Sequence, residues 1–489
     1  MADDRTAIPH PGRKASRRTS KIEAPEEPGR VRCCGASGGW HDNCGMSHVS
    51  SQTTEDSTRV GVESRASAGQ RDRARRVVVH DYVGHPFQVQ LSRELARRGM
   101  DVLHLHCGSF RTGKGAVEDA GDPRLRIEGI ALSREFAKYS PWTRLRQERE
   151  YGLKASARIR EFRPDVVLSA NTPLFAQKRL QAETRRLGSR FVFWQQDLLG
   201  IGVRRVLERR YGRLGAAIGN RFIALERSLL MASDAVTVIS DGFLPALEQL
   251  GIPTDKIYVI ENWAPIDELP LRPRANEWAG EHDLVGKRVI LYSGTLGLKH
   301  DPEVIVQLAR HFSKHEDVEV VVVSEGRGAD WLRRRRDEES LLNLRLLPFQ
   351  PYAVLPDVLA SGDVLLTLLE ADAGAFSVPS KVLSYLCAGR ALLAAVPSDN
   401  LAAEIVRKSG AGFLVEPGDK GDLVACATRL LADGGLRELL GRRARRYAVE
   451  NFDVATIGDR FEPILDPGER GEGRNGTNMR HERRSEVSG

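Results

Sequence analysis

The sequence predicts an α/β protein made of two parallel-sheet domains facing a cleft, and three observations carry that expectation. Short runs of apolar and β-branched residues recur along the chain, as the cores of buried strands do. Helical stretches separate these runs, which is the alternation that parallel strands need for their crossovers. The length, 489 residues, exceeds what one ordinary hydrophobic core organises.

Residues 1–76 are rich in Arg, Ser, Gly and Glu and show no hydrophobic period, so they are expected to be disordered. Order begins at Arg76-Val-Val-Val-His80, a buried strand, followed by a helical stretch from Phe87 to Arg98 that Gly99 stops. Val102 to His106 is the next strand, and the alternation recurs at Asp165–Ser169, Phe191–Trp194 and Ala235–Ile239. It pauses at Tyr258-Val-Ile-Glu-Asn-Trp-Ala-Pro265, which sets a first domain over 77–266. It restarts at Arg288–Tyr292, a helix from Pro302 to Phe312, and strands at Val318–Val323, Leu344–Leu347, Val364–Leu368 and Ala391–Val396. These define a second domain over 267–450. A helix-like stretch within 451–466 follows, and 467–489 is a polar tail expected to be disordered.

Hydrophobic residues make up 41% of the chain and charged residues 28%, the balance of a globular protein. Much of the formal net charge of +7 sits in the flanks: residues 1–76 carry 14 basic against 10 acidic side chains, and 467–489 five against four. A body this close to neutral argues against nucleic acid as a partner. Six cysteines in a chain of this length are not a disulfide framework. Cys107, Cys387 and Cys426 lie in apolar segments where a reduced thiol packs as a small hydrophobe, so a reducing cytoplasm is expected. Cys33, Cys34 and Cys44 with His41 and His48 lack paired C-x-x-C spacing, and no metal is expected there. No apolar run is long enough to span a membrane, and the N-terminus lacks the apolar core of a signal peptide.

Ser377 to Asn400 reads as a loop, a short helix and a buried strand. Val378-Pro379 cannot be helical, Ser380 is expected as the N-cap, Lys381 falls in the first turn and Gly389 closes the helix. A lysine is unfavourable beside the free N–H groups of a helix start, so an anionic ligand explains it as readily as a plain surface lysine would. Upstream, Tyr292-Ser-Gly-Thr-Leu-Gly-Leu-Lys299 is a second turn between strand and helix. Gly294 and Gly297 admit close backbone approach there, and Lys299 adds a compact positive charge. Both loops are expected at the carboxyl edge of one parallel sheet, where crevice ligands bind, which suggests a diphosphate between Lys299 and Lys381. Glu325-Gly-Arg-Gly328 is a further nucleotide-side loop, and Phe349-Gln350 is the candidate for base contact.

Several motifs in order resemble glycosyltransferase family 4, retaining enzymes of GT-B fold, and within it the colanic-acid and O-antigen-type branch. They are Trp194-Gln-Gln-Asp197, Ile260-Glu-Asn-Trp-Ala-Pro-Ile-Asp267, Tyr292 to Lys299, Leu347-Pro-Phe-Gln-Pro351 and Val378-Pro-Ser-Lys-Val-Leu-Ser-Tyr385. The resemblance spans about Val77 to Leu465. It implies a fold of two Rossmann-like domains, with the donor nucleotide on the second and the acceptor on the first. It matches Lys299 to the family's diphosphate lysine and brings Asp197, Gly84 and His85 to the cleft from the acceptor side. Thr295 stands where many members carry arginine, and Phe376 and Ser384 where most carry two glutamates, with the Ser380-Lys381 pair in their place. Asn262 and Asp267 read as hinge and turn residues.

Val203 to Ile218 interleaves Arg204, Arg205, Arg209, Arg210 and Arg213 with apolar residues, a pattern suited to an anionic bilayer surface and equally to a solvated helix face. Gly212, Gly215 and Gly219 should break the element. The reading is a cytoplasmic retaining glycosyltransferase, peripheral at the inner face of the membrane, moving a sugar from a nucleotide diphosphate donor to a surface-polysaccharide or lipid-linked glycan acceptor. Asp197, Lys299 and Lys381 would be catalytic; Gly294, Thr295, Gly297, Glu325, Phe349, Gln350, Ser380 and Ser384 would bind donor. No cofactor is expected, because the lysines and helix starts would stabilise the leaving diphosphate in place of a metal. Glu370-Ala-Asp372 is read as a chance carboxylate pair. A nucleotide-sugar 2-epimerase of the same architecture and a catalytically inactive nucleotide-sugar-binding subunit remain alternatives. A dinucleotide dehydrogenase is disfavoured, since Asp81-Tyr-Val-Gly-His-Pro86 replaces G-x-G-x-x-G after the first strand.

Overall fold

The computed structural model describes residues 73–109, 121–134, 141–297, 300–371 and 380–466. The cysteine–histidine group at 33–48, nearly all of the expected N-terminal disordered segment and the 467–489 tail lie outside the described residues. The first sheet contains β1 (Arg76–Asp81), β2 (Asp101–Cys107), β3 (Leu125–Ile130), β4 (Val166–Ala170), β5 (Arg190–Gln195), β6 (Ala235–Val238) and β7 (Ile257–Val259). All pair in parallel, in the order β3-β2-β1-β4-β5-β6-β7. The second contains β8 (Arg288–Ser293), β9 (Val318–Val323), β10 (Leu344–Leu347), β11 (Val364–Leu368), β12 (Ala391–Ala395) and β13 (Gly412–Val415). These are also parallel, in the order β10-β9-β8-β11-β12-β13.

The crossovers of the first half are α1 (Pro86–Arg97), α2 (Pro141–Phe162), α3 (Leu174–Arg186), α4 (Leu199–Met231) and α5 (Leu244–Gln249). The second half adds α6 (Glu277–Glu281), α7 (Glu303–His311), α8 (Arg327–Glu339), α9 (Leu355–Ala360), α10 (Lys381–Ala388), α11 (Leu401–Ser409), α12 (Lys420–Ala432), α13 (Gly434–Asn451) and α14 (Val454–Leu465). Strands such as Val77–Val79 and Val320–Val323 are buried on both faces, which is why they read as unbroken apolar runs. The edge strands β3 and β13 escape that reading: Leu125-Arg-Ile-Glu-Gly-Ile130 is buried only at its two ends, and only Val415 of β13 is buried.

The last helix crosses back. Phe461 of α14 packs edge-on against Trp194 of β5, 4.9 Å between ring centroids, and against Trp263. Arg98 at the end of α1 reaches Asp459 and Glu462 of α14, each at 2.7 Å. Nothing in the sequence of α14 alone marks this, because its partners lie more than 190 residues upstream.

Beneath the centre of the first sheet lies a buried polar network. His80 places Nδ1 2.8 Å from the Ser169 hydroxyl and Nε2 2.8 Å from the Tyr151 hydroxyl. Burial drives its pKa down to about 4, against the partial pull of Asp81, and drives His104 on β2 down to about 3. His80 is therefore neutral in the fold but titrates at its ordinary 6.5 in the unfolded chain. Below that pH the unfolded chain binds protons that the fold refuses, so stability should fall as pH drops from 6.5 toward 4. At pH 5 the loss from His80 alone should be about 2 kcal/mol, readable as a lower urea midpoint than at pH 7, with a shallower pH profile for His80→Gln. Identical pH profiles for the two proteins would contradict this account.

Candidate functional site

Winding reverses direction between β1 and β4 in the first sheet and between β8 and β11 in the second. At such a switch point neighbouring loops leave in opposite directions and open a crevice at the carboxyl edge. In the second sheet that crevice is built by α10 and the loop after β8. The buried Tyr385 hydroxyl accepts the Ser293 N–H at 3.0 Å and donates to the Ser293 carbonyl at 3.2 Å, clipping α10 onto the end of β8. Lys381, the first residue of α10, then lays its stem across Gly294. A Cβ there would lie 2.3 Å from Lys381 Cε, and φ is +137°, so the position admits only glycine without rearrangement. The Lys381 ammonium stands 5.1 Å from the Tyr292 ring centroid and 3.5 Å from the Thr295 carbonyl oxygen. No described carboxylate acts on it, and burial alone pulls its pKa down to about 8. A desolvated cation at a helix start is stabilised by an anion.

The other expected donor residues lie in the loops after β8, β9 and β10 and on α10. Leu296 donates its N–H to Ser324 Oγ at 3.3 Å, and Gly328 sits so close to Leu296 that a Cβ would clash at 2.5 Å, so the loops after β8 and β9 pack together. Glu325 accepts the Phe349 N–H at 3.1 Å, leaving the Phe349 ring exposed beside it. Gln350 is held from behind, its carbonyl accepting from Trp278 Nε1 at 3.1 Å. The Gly297 N–H donates to His300 Nδ1 at 3.1 Å. Ser384 is half-buried one turn into α10. Ser380 corrects an expectation: it precedes α10 but has helical φ and ψ, and its hydroxyl caps nothing, because the turn already begins there. Lys299, Asp372 and Phe376 lie outside the described residues.

The first sheet's crevice holds a cluster that sequence reading caught only in part. Gly84 and His85 lie between β1 and α1. Asp81, fully buried at the end of β1, accepts the N–H of Val83 and of His85, His85 Nδ1 at 3.0 Å, and Asn171 Nδ2 at 3.2 Å. Burial would push its carboxyl up, but His85 holds it well below the usual range. Burial would likewise depress His85, yet Asp81, with Asp197 adding its charge, raises it. Asp81 and Asn171 were legible as polar residues at strand ends, but their pairing across the switch point was not.

Asp197 is exposed just past β5, and two interactions fix its loop. Gln196 and Asn262 exchange amide hydrogen bonds at 3.1 and 2.6 Å, so Asn262 braces the site besides turning the chain. Gln195 Nε2 donates to the Asp197 carbonyl and to Glu226 Oε1, both at 3.0 Å. Glu226 also accepts the N–H groups of Leu199 and Gly200 at 2.9 and 3.0 Å, and burial pushes its pKa up to about 7. Of the arginines expected at a surface, Arg205, Arg209 and Arg210 are exposed on α4; Arg204 is half-buried, its Cα facing Gly219 within the helix itself.

Two parallel-sheet domains with a charged crevice at each switch point are the architecture of the GT-B fold. The chain matches the family model for a glycosyl transferase 4-like domain over residues 85–263 and that for glycosyl transferases group 1 over residues 276–447, and it belongs to glycosyltransferase family 4. It is similar to a putative colanic acid biosynthesis glycosyl transferase, WcaI, of Escherichia coli: 26% identical over 312 residues, covering 61% of this chain and 73% of the relative. It is also similar to the probable glycosyltransferase WbjE of Pseudomonas aeruginosa, 24% identical over 321 residues and covering 62% and 76%. Among solved structures, Anabaena HepE in complex with UDP-glucose matches with a TM-score of 0.58 at 15% identity, covering 80% of this chain and 99% of that one. Sucrose-phosphate synthase from Thermosynechococcus elongatus matches with a TM-score of 0.60 at 15% identity, covering 80% and 98%.

A diphosphate paired with Lys381 would bind in a pH-dependent way. With burial pulling the Lys381 pKa down to about 8 and a paired anion raising it, affinity should be level below pH 8 and fall up to tenfold per pH unit above it. Titration calorimetry with a nucleoside diphosphate at pH 7 and 9 would read this, and Lys381→Ala should flatten it. Gly294→Ala, by displacing the Lys381 stem, should weaken binding by roughly tenfold or more at pH 7.

Proposed function

We propose that this enzyme moves a sugar from a nucleoside diphosphate donor, with retention at the anomeric carbon, to a hydroxyl of a surface-polysaccharide or lipid-linked glycan at the inner face of a membrane. The observation that carries the donor class is Lys381, a cation without a described carboxylate partner, held over Gly294 at the start of α10. The naming of the Escherichia coli relative for colanic acid biosynthesis and the UDP-glucose held by the Anabaena neighbour support the acceptor and donor classes. Negative charge grows on the diphosphate as its bond to the anomeric carbon breaks. Lys381, the first N–H groups of α10 and Lys299 would stabilise it, with no metal required. The acceptor oxygen arrives on the face the diphosphate leaves, and its proton passes to the departing phosphate oxygen. Asp197 stabilises positive charge developing on the sugar, and the Gly84-His85 loop meets the acceptor.

Lys381→Ala and Lys299→Ala should each lower kcat/KM by roughly a hundredfold or more, the loss of about 2 to 4 kcal/mol of transition-state stabilisation. Asp197→Asn should depress turnover while leaving nucleotide affinity near that of the unmodified protein. Saturating chelator should leave transfer intact; complete loss restored by manganese would overturn the metal-free mechanism. Nucleotide-sugar consumption with no dependence on acceptor, and with the sugar epimerised, would replace transfer by 2-epimerisation.

A further inference from the structure

We propose that α4 is a membrane-docking finger that seats its tip in the interface of an anionic bilayer. Gly212, at φ 57° and ψ −137°, breaks the 33-residue element into two antiparallel limbs. The limbs are zipped through glycines: a Cβ at Gly215 would meet the Leu207 carbonyl oxygen at 2.0 Å, one at Gly219 the Arg204 Cα at 2.5 Å, and one at Gly200 the Ile223 Cα at 2.8 Å. The root is anchored in the body by Phe222 against Phe175, by buried Leu229 and Leu230, and by Glu226. From Gly202 to Arg221, by contrast, only Gly215 and Gly219 are buried, and both face the opposite limb. The tip therefore has no cover among the described residues.

Its chemistry selects the occupant. Val206, Tyr211 and Leu214 are 65%, 54% and 68% exposed, an apolar cluster the fold leaves in water. Between Val203 and Arg221 the chain carries six arginines against the one acid Glu208. Like charge opposes a second copy of the same tip, whereas apolar and tyrosine side chains ringed by arginine suit the boundary between headgroup phosphates and acyl chains. An arginine near an anionic surface contributes enough that several together hold a protein reversibly. The root of the finger begins two residues after Asp197, and Glu226 accepts from the root's first N–H groups and from Gln195, whose amide also holds the Asp197 carbonyl. A docked tip thus brings the Asp197 edge toward the bilayer, where a lipid-linked acceptor is presented. Docking itself does not depend on the proposed transfer reaction; only this consequence does.

The test is flotation of the full chain with vesicles of phosphatidylcholine alone or containing about a third phosphatidylglycerol. Binding is expected to the anionic vesicles only. Replacing Arg209 and Arg210 by Ala should weaken it about thirtyfold, and Leu214→Asp should weaken it with every arginine in place. Tyr211→Trp should show a blue-shifted emission on anionic vesicles. Nucleoside diphosphate binding should be unchanged in all of these variants and certifies that each is folded; loss of nucleotide binding by the unmodified protein with vesicle binding intact would count against the transferase reading alone. No binding of the unmodified chain to anionic vesicles would overturn the proposal. So would binding by the arginine pair variant and by Leu214→Asp as tight as that of the unmodified chain, or ultracentrifugation in which these substitutions dissociate a dimer.

Discussion

Much of this structure hangs on one aromatic seam. Trp263, from the segment that leaves the first sheet, is 1% exposed. It stacks on Trp194 of β5 at 6.0 Å and meets Phe87 of α1 edge-on at 5.0 Å, with Phe461 of α14 closing the group from the far end of the chain. Its indole N–H donates to Gln90 at 2.8 Å, so the ring is polar-satisfied as well as packed. Four stretches that are remote in sequence therefore share one core, and burying such rings is worth several kcal/mol. The functional loop is attached directly to it: Trp194 is followed by Gln196, which pairs with Asn262, and then by Asp197. The seam gives the carboxylate at the end of β5 a rigid support, which the role proposed for Asp197 would require.

The two switch points carry opposite electrostatic designs. In the second sheet a lysine stands at a helix start against a carbonyl oxygen and an aromatic face, with no described counter-charge. In the first, Asp81 is so fully provided with N–H donors that it stays ionised in a buried site, and its surplus charge is spent on one partner, His85. A carboxylate bonded to Nδ1 fixes the ring's orientation and leaves Nε2 as the working atom. One switch point thus carries a lysine with no described counter-charge, and the other an imidazole oriented by Asp81 within reach of the charge of Asp197.

Local sequence carried the strands because parallel strands buried on both faces read as unbroken apolar runs; β1, β9 and β11 needed nothing more. It also carried the shared edge of the Gly294 and Lys381 loops, since both follow strands of one parallel sheet, but not that the Lys381 stem itself lies across Gly294. What stayed hidden was whatever depends on contact between distant segments. The edge strands β3 and β13 have lost the double-sided burial that would mark them. The docking of α14 on Trp194, the Asp81–Asn171 pairing and the bracing role of Asn262 have no periodicity to announce them. The glycines of α4 were legible as helix breakers, but only one of them is: Gly212 breaks the helix, and Gly215 and Gly219 bring its two limbs together.

Glu226 links these themes. It lies on the second limb of α4 yet receives the free N–H groups at the start of the first, so it replaces the cap that Leu198 cannot provide. Through Gln195 it also holds the carbonyl of Asp197. A buried carboxyl titrating near neutrality is costly to keep as an anion, and an apolar residue would fill the space more cheaply. An apolar residue would, however, leave the Leu199 and Gly200 N–H groups without their acceptor, cost Gln195 one of its two, and let the loop and both limbs move independently. The carboxyl makes the catalytic-side loop and the root of the finger a single mechanical unit, so that whatever seats the tip also sets where Asp197 stands.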